Sequence, residues 1–275
     1  MNWVKSLVVE KGKTLMSGRR RGQAFVELAL IMPILLIMIV GMVEVVFAFN
    51  DYLQMLDAAR NGARDSANLN PIPKASGAYD NNKNCTDPDG AGPQTATNNF
   101  WRRTACTTTT FLKPINLASE PPTENGNTCI PASDTDRYTN DIVLSIFTTA
   151  VVDSGGSPTL LAERWDNATD SGGPHLLHNN GEGGWSFVMD QYNSPQKRGM
   201  CSGFTTSTIR SLLLGATDVN QAAPNTAYLL VEVFYRHYQL FDAPVFGDVI
   251  ENPIRLHSYA IFSVSAAEAT TTPGP

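Results

Sequence analysis

The chain has no charged residue from Leu28 to Val43, a stretch of 16 positions. A run that long argues against the buried core helix of a soluble protein, where apolar stretches are usually shorter. Basic residues are scarce beyond the first 22 positions. Residues 1–22 hold six of the 20 Lys and Arg and one of the 26 Asp and Glu, which leaves 14 against 25, or −11, for the remainder. So acidic a remainder excludes the basic surface that a nucleic-acid partner requires. Cysteine is absent before residue 85, and only four occur. There is no HExxH pair, and no Gly-rich loop followed by Lys-Ser/Thr that would cradle a phosphate.

What is present begins with the apolar run itself. From Ala24 to Phe49 the only ionisable residues are Glu27 and Glu44. A helix rising 1.5 Å per residue crosses a bilayer core of roughly 30 Å in about 20 residues, so Ala24–Val46 is long enough to span it. Pro33 would break a helix in water, but a membrane helix tolerates it where neighbours satisfy the freed carbonyl. Lys5, Lys11, Lys13 and Arg19–Arg21 precede the run, whereas Asp51, Asp57, Arg60, Arg64 and Asp65 nearly cancel after it. The positive-inside rule then predicts a cytoplasmic N-terminus, with everything beyond about Asn50 outside. Phe47-Ala48-Phe49-Asn50 is a poor exit site for a signal peptidase, so the span is expected to stay. Glu27 is the anomaly, because a carboxylate just inside hydrocarbon costs several kcal/mol unless it is paired or snorkels to the interface. Glu44, near the outer boundary, is expected at the interface.

The helical pattern continues past the span through Leu53, Met55, Leu56 and Ala58–Ala59 to Ala63 and Ala67. It predicts one helix over residues 23–69, stopped by Asn70-Pro71-Ile72-Pro73. Residues 70–140 turn to Pro, Gly, Asn and Thr and read as a loop-rich segment with no core of its own. An outer domain is expected over 141–268, followed by a polar tail at 269–275. Within it, Ile142–Val152, Tyr228–Leu240 and Pro253–Val264 read as strands, while Ser157–Asp166 and Thr205–Leu214 read as short helices. In the second strand Leu230, Glu232, Phe234 and Arg236 fall on one face and Leu229, Val231, Val233 and Tyr235 on the other. The fold class is therefore α+β, a long N-terminal transmembrane helix followed by an antiparallel sheet. The outer part of the helix is the natural cover for that sheet.

Cys85, Cys106, Cys129 and Cys201 all lie on the outer side, where an even number suggests two disulfides with three connectivities open. Gly199-Met200-Cys201-Ser202-Gly203 has the glycine spacing of a nucleophile elbow. The required strand before it is missing, because Pro195-Gln196-Lys197-Arg198 precedes it, so Cys201 reads better as a disulfide partner. His175 and His178 lack a third metal ligand nearby, and Asp87-Pro88-Asp89-Gly90 lacks the downstream Glu of a calcium loop. Asn84-Cys85-Thr86 and Asn167-Ala168-Thr169 are glycosylation sequons by pattern alone. No catalytic residue, cofactor or metal site is assigned, and a non-enzymatic protein is expected.

Gly22 followed by Gln23-Ala24-Phe25-Val26-Glu27 resembles a type IV prepilin junction, with Glu at the fifth mature position. The continuation Leu28-Ala29-Leu30-Ile31-Met32-Pro33, then Val43-Glu44-Val45 and Ala58-Ala59-Arg60-Asn61-Gly62-Ala63-Arg64, is similar to the TadE-like family. These are minor pilins or pseudopilins of the tight-adherence (Flp) pilus and secretion system. Leu28 stands where the much shorter major Flp pilins carry Tyr. The resemblance implies residence in the inner, cytoplasmic membrane and removal of a basic leader (1–22) by a prepilin peptidase cutting between Gly22 and Gln23. It also implies that Glu27 docks against a neighbouring subunit, with pilin subunits and the Tad assembly machinery as partners. The alternative expectation is an extracellular binding module that keeps its leader and stays anchored.

Overall fold

A computed structural model of the chain describes residues 17–67, 100–115, 117, 129–153, 158–164, 184–188, 199–216, 227–240 and 251–264. Its first element, α1, is one helix of 50 residues, Ser17–Ser66, that runs through Pro33 without interruption. At 1.5 Å per residue it is about 75 Å long. It begins six residues before the predicted start at Gln23 and ends three before Leu69. Residues Ser17–Gly22 are thus helical too, since nothing in them stops the pattern.

Contacts divide the chain into two units: residues 1–49 with 239–251, and residues 50–238 with 252–275. In the first unit, α1 from Gly22 onward is apolar and long enough to cross a membrane. Its large side chains are exposed almost throughout, Phe25, Leu30, Met42 and Val46 among them. Such exposure in water would be costly at about 25 cal/mol per Å², whereas hydrocarbon removes the cost.

The second unit holds the rest of α1 and the α+β domain. A mixed-length antiparallel sheet runs in the order β2-β1-β4-β5. Its strands are β1 (Asp141–Asp153), β2 (Pro158–Arg164), β4 (Ala227–His237) and β5 (Ile254–Val264). The two-residue β3 (Trp185–Ser186) pairs with the near half of β1. The alternation predicted for Tyr228–Leu240 holds. Leu229, Val231 and Val233 join Ile142, Leu144 and Ile146 of β1 in the main core, together with Met55, Ala58, Ala59 and Ala63 of α1. The outer part of α1 therefore covers one face of the sheet, as expected. Leu230 and Phe147 look to the opposite face, where Ile209 of α3 (Thr206–Ala216) packs on them.

Two segments differ from expectation. Ser157–Asp166 was predicted helical but supplies β2, whose Pro158–Arg164 pairs with Phe147–Asp153. Leu160, Leu161 and Ala162 are good helix formers, yet the long far half of β1 offers a ladder that overrides local preference. The stretch read as loop-rich contains α2, Phe100–Phe111, which adds Phe100, Trp101, Ala105 and Cys106 to the main core. Trp101 stacks on Trp185 at 6.3 Å between ring centroids. Threonine is a weak helix former because its hydroxyl competes for backbone partners. Here Thr104, Thr108 and Thr110 instead donate to carbonyls one turn back, those of Phe100, Thr104 and Cys106.

Candidate functional site

The predicted processing and docking residues sit together at the start of the apolar run. Gly22 lies inside α1, and a Cβ built on it would meet no atom within 4 Å. One turn apart on the same helix, Gln23 Nε2 donates to Glu27 Oε1 at 3.2 Å. Both side chains are exposed. The i,i+4 spacing brings them onto one face, so a neutral amide answers one oxygen of the carboxylate. Glu44 is buried, unlike most of the side chains around it.

Of the four cysteines, Cys129 and Cys201 are joined across a sequence separation of 72. Closing so long a loop restrains the unfolded chain by about 4 kcal/mol on a chain-entropy account. Cys106 is also disulfide-bonded. Cys85 lies outside the described residues, as do His175, His178, Asp87–Gly90 and the two sequons.

The segment 199–203, with its elbow-like glycines, proves to be a strap tied to two buried acids that sequence reasoning missed. Ile130 and Met200 form a parallel bridge beside the disulfide, with Ile130 N donating to Gly199 O and Cys201 N to Ile130 O. Asp141, fully buried at the start of β1, accepts at Oδ1 from the N–H of Ile142 and Val188. At Oδ2 it accepts from Ser186 Oγ at 2.6 Å and from Met200 N at 2.8 Å. Burial pushes its pKa up to about 7, and the four donors, Ser186 foremost, pull the other way. Glu232, on the same face of the sheet, accepts from Ser202 Oγ and from Gly203 N, with His257 Nε2 3.1 Å from its Oε1. A Cβ on Gly199 would fall 1.8 Å from Ser186 Oγ, so only glycine admits the strap this close to Asp141. Cys201 is consumed in the disulfide, and its neighbours hold structure together rather than frame a nucleophile.

A legible sign of these acids was available. Asp141 opens a strongly apolar strand, and Glu232 sits among apolar residues on a strand buried on both faces. A further pair, Asp51 Oδ2 and His237 Nδ1 at 2.7 Å, joins α1 to the end of β4. Among the described residues no group of three His, Cys, Asp or Glu could hold a metal ion.

No curated protein and no solved structure matches the chain. The family model described as TadE-like protein matches residues 22–64, from the predicted processing glycine through the apolar run to the outer part of α1. The N-terminal helix of this chain is thus a TadE-like segment.

Proposed function

We propose that the protein is a membrane-anchored minor pilin or pseudopilin, a non-enzymatic structural or assembly component of a tight-adherence (Flp) pilus or secretion system. Its N-terminus faces the cytoplasm and its α+β domain lies outside. A prepilin peptidase removes residues 1–22, and the freed amine of one subunit's Gln23 neutralises Glu27 of another. The observation that carries this reading is Glu27 itself, exposed on an otherwise apolar helix surface with only the Gln23 amide against it among the described residues. A neutral amide offsets part of the cost of that carboxylate, and a cation from a neighbour would offset more. Gly22 adds support. Glycine inside a helix costs about 1 kcal/mol relative to alanine, and here no packing requires it.

Once such a pair is buried between subunits, removing one partner costs about 3–5 kcal/mol. Assembly would then select for processed chains. The test is a Glu27 variant compared with the parent in a host that carries the pilus system. Glu27→Leu should enter the membrane and be processed like the parent yet fail to co-purify with other pilin subunits. Normal co-purification of Glu27→Leu would refute the docking role.

One observation favours the alternative of an anchored, unprocessed binding module. Helix α1 runs through Gly22–Gln23 without a break, so a peptidase must first unwind it. Retention of residues 1–22 in the presence of active peptidase would support that alternative.

A further inference from the structure

Gln23 has a chemistry at a chain end that an internal glutamine lacks. Its amide carbon Cδ is separated from its own backbone nitrogen by Cα, Cβ and Cγ. If that nitrogen is a free amine it can attack Cδ and close a five-membered lactam, a reaction favoured because both groups belong to one residue. The N–Cδ bond forms, the Cδ–Nε2 bond breaks, and Nε2 leaves as ammonia with the proton that the amine gives up. Nothing is oxidised or reduced, and no co-reactant is needed. The product nitrogen is an amide and carries no charge. In the uncut chain the nitrogen of Gln23 is held in the peptide bond to Gly22, so the reaction waits for cleavage there.

The structure shows what holds the amide back. Gln23 Nε2 donates to Glu27 Oε1 at 3.2 Å. Both side chains are exposed, so no packing fixes the glutamine and its conformation depends on this contact. Glu27 lies about one turn further along α1, and the hydrogen bond therefore draws the amide away from the nitrogen of residue 23. Ring closure demands the opposite. The side chain must fold back on its own nitrogen with χ1 near an eclipsed angle, away from the staggered rotamers that helical side chains adopt.

We propose that Gln23 is a self-modification site, which cyclises to a neutral lactam after cleavage, and that Glu27 of the same chain is the positioning residue that restrains it. Glu27 then has two partners in succession, its own glutamine amide and afterwards the amine of a neighbour. An amine held protonated by a neighbouring Glu27 has no lone pair with which to attack, so docking protects the end for good. A cyclised chain offers no cation and drops out of assembly, which limits in time the competence of a processed subunit. This inference rests on the processing proposed above and concerns the fate of the end that processing creates.

The test follows the mass of the N-terminal peptide of the processed protein, purified away from other subunits in detergent and incubated at neutral pH. The parent should lose one ammonia slowly, and Glu27→Leu about 2–10-fold faster, the factor that one hydrogen bond of ordinary net strength provides. Glu27→Gln keeps a carbonyl that accepts from Gln23 and should fall between them, which a merely structural role for Glu27 would not produce. Gln23→Asn, too short to close the ring, should keep its ammonia. Equal loss in the parent and Glu27→Leu, whether complete in both or absent from both, would overturn the inference and leave processing intact. A chain that still begins at Met1 in a host with active peptidase would overturn the processing and the inference together.

Discussion

Along residues 22–49 of α1 the large side chains are exposed, Phe25 at 76% and Met42 at 62%, whereas in residues 50–66 the buried face is Met55, Ala58, Ala59 and Ala63. One helix thus meets two environments with opposite demands. Lipid accepts bulky apolar groups at any angle and requires no partner surface. A packed core requires small residues wherever another helix comes close. The two glycines make the same point. A Cβ on Gly62 would fall 2.0 Å from Thr108 Oγ1 of α2, while one on Gly22 would meet open space. Packing explains the first glycine. For the second, we look to processing.

Breaking the outer domain at its buried acid should have the largest effect. Asp141→Ala would leave the N–H groups of Val188 and Met200 and the Ser186 hydroxyl buried without their acceptor. A loss of at least about 3 kcal/mol is expected, at about 1–3 for each of the three orphaned groups. Urea unfolding of the full chain in detergent measures it, with Glu27→Ala as a variant expected to leave the outer domain's midpoint in place. Next comes the contrast between two methionines of α1. Met55→Ala empties a core position and should cost about 2–5 kcal/mol. Met42→Ala, on the exposed surface of the span, should leave the same unfolding curve unchanged. Similar losses at both sites would contradict the division of α1.

Smaller effects sharpen the contrast. Gly62→Ala should destabilise by about 1–3 kcal/mol through overpacking against Thr108, despite alanine's better helix propensity. Gly22→Ala should instead leave stability unchanged or raise it by up to about 1 kcal/mol. A further prediction concerns pH. The folded-state pKa of Asp141 is pushed up to about 7 by burial, from an ordinary 3.8. The unfolded chain then releases this proton at lower pH than the folded one, so stability falls as pH rises between those values and levels off above about 7. The thermal midpoint of the outer domain should drop from about pH 5 to about pH 8. In Asp141→Asn that slope should flatten, and a slope of equal size there would assign it to another group.

Much of this architecture could be read from residues alone, where the pattern was periodic and local. Sixteen uncharged positions announced the span, and the alternation through Leu229–Arg236 gave both the strand and its two faces. The missed elements depend on distant partners. Nothing within Pro158–Arg164 says strand; Phe147–Asp153 of β1 makes it one. Helix α2 was hidden by threonines, whose hydroxyls turn back onto their own helix while Phe100 and Trp101 sink into the core. The spacing of Gly199 and Gly203 was visible, but its meaning depended on Asp141, Ser186 and Glu232, residues far away in the chain. At the N-terminal site the positions were legible and the geometry simple, because Gly22, Gln23 and Glu27 lie within two turns of one helix.

The central claim is that Glu27 awaits an amine that exists only after cleavage at Gly22. It is tested most directly by intact-mass and N-terminal mass spectrometry of the protein extracted from membranes of a host with active prepilin peptidase. The account predicts a chain whose first residue is Gln23, lighter than the full sequence by residues 1–22. A chain that begins at Met1 under those conditions would contradict it.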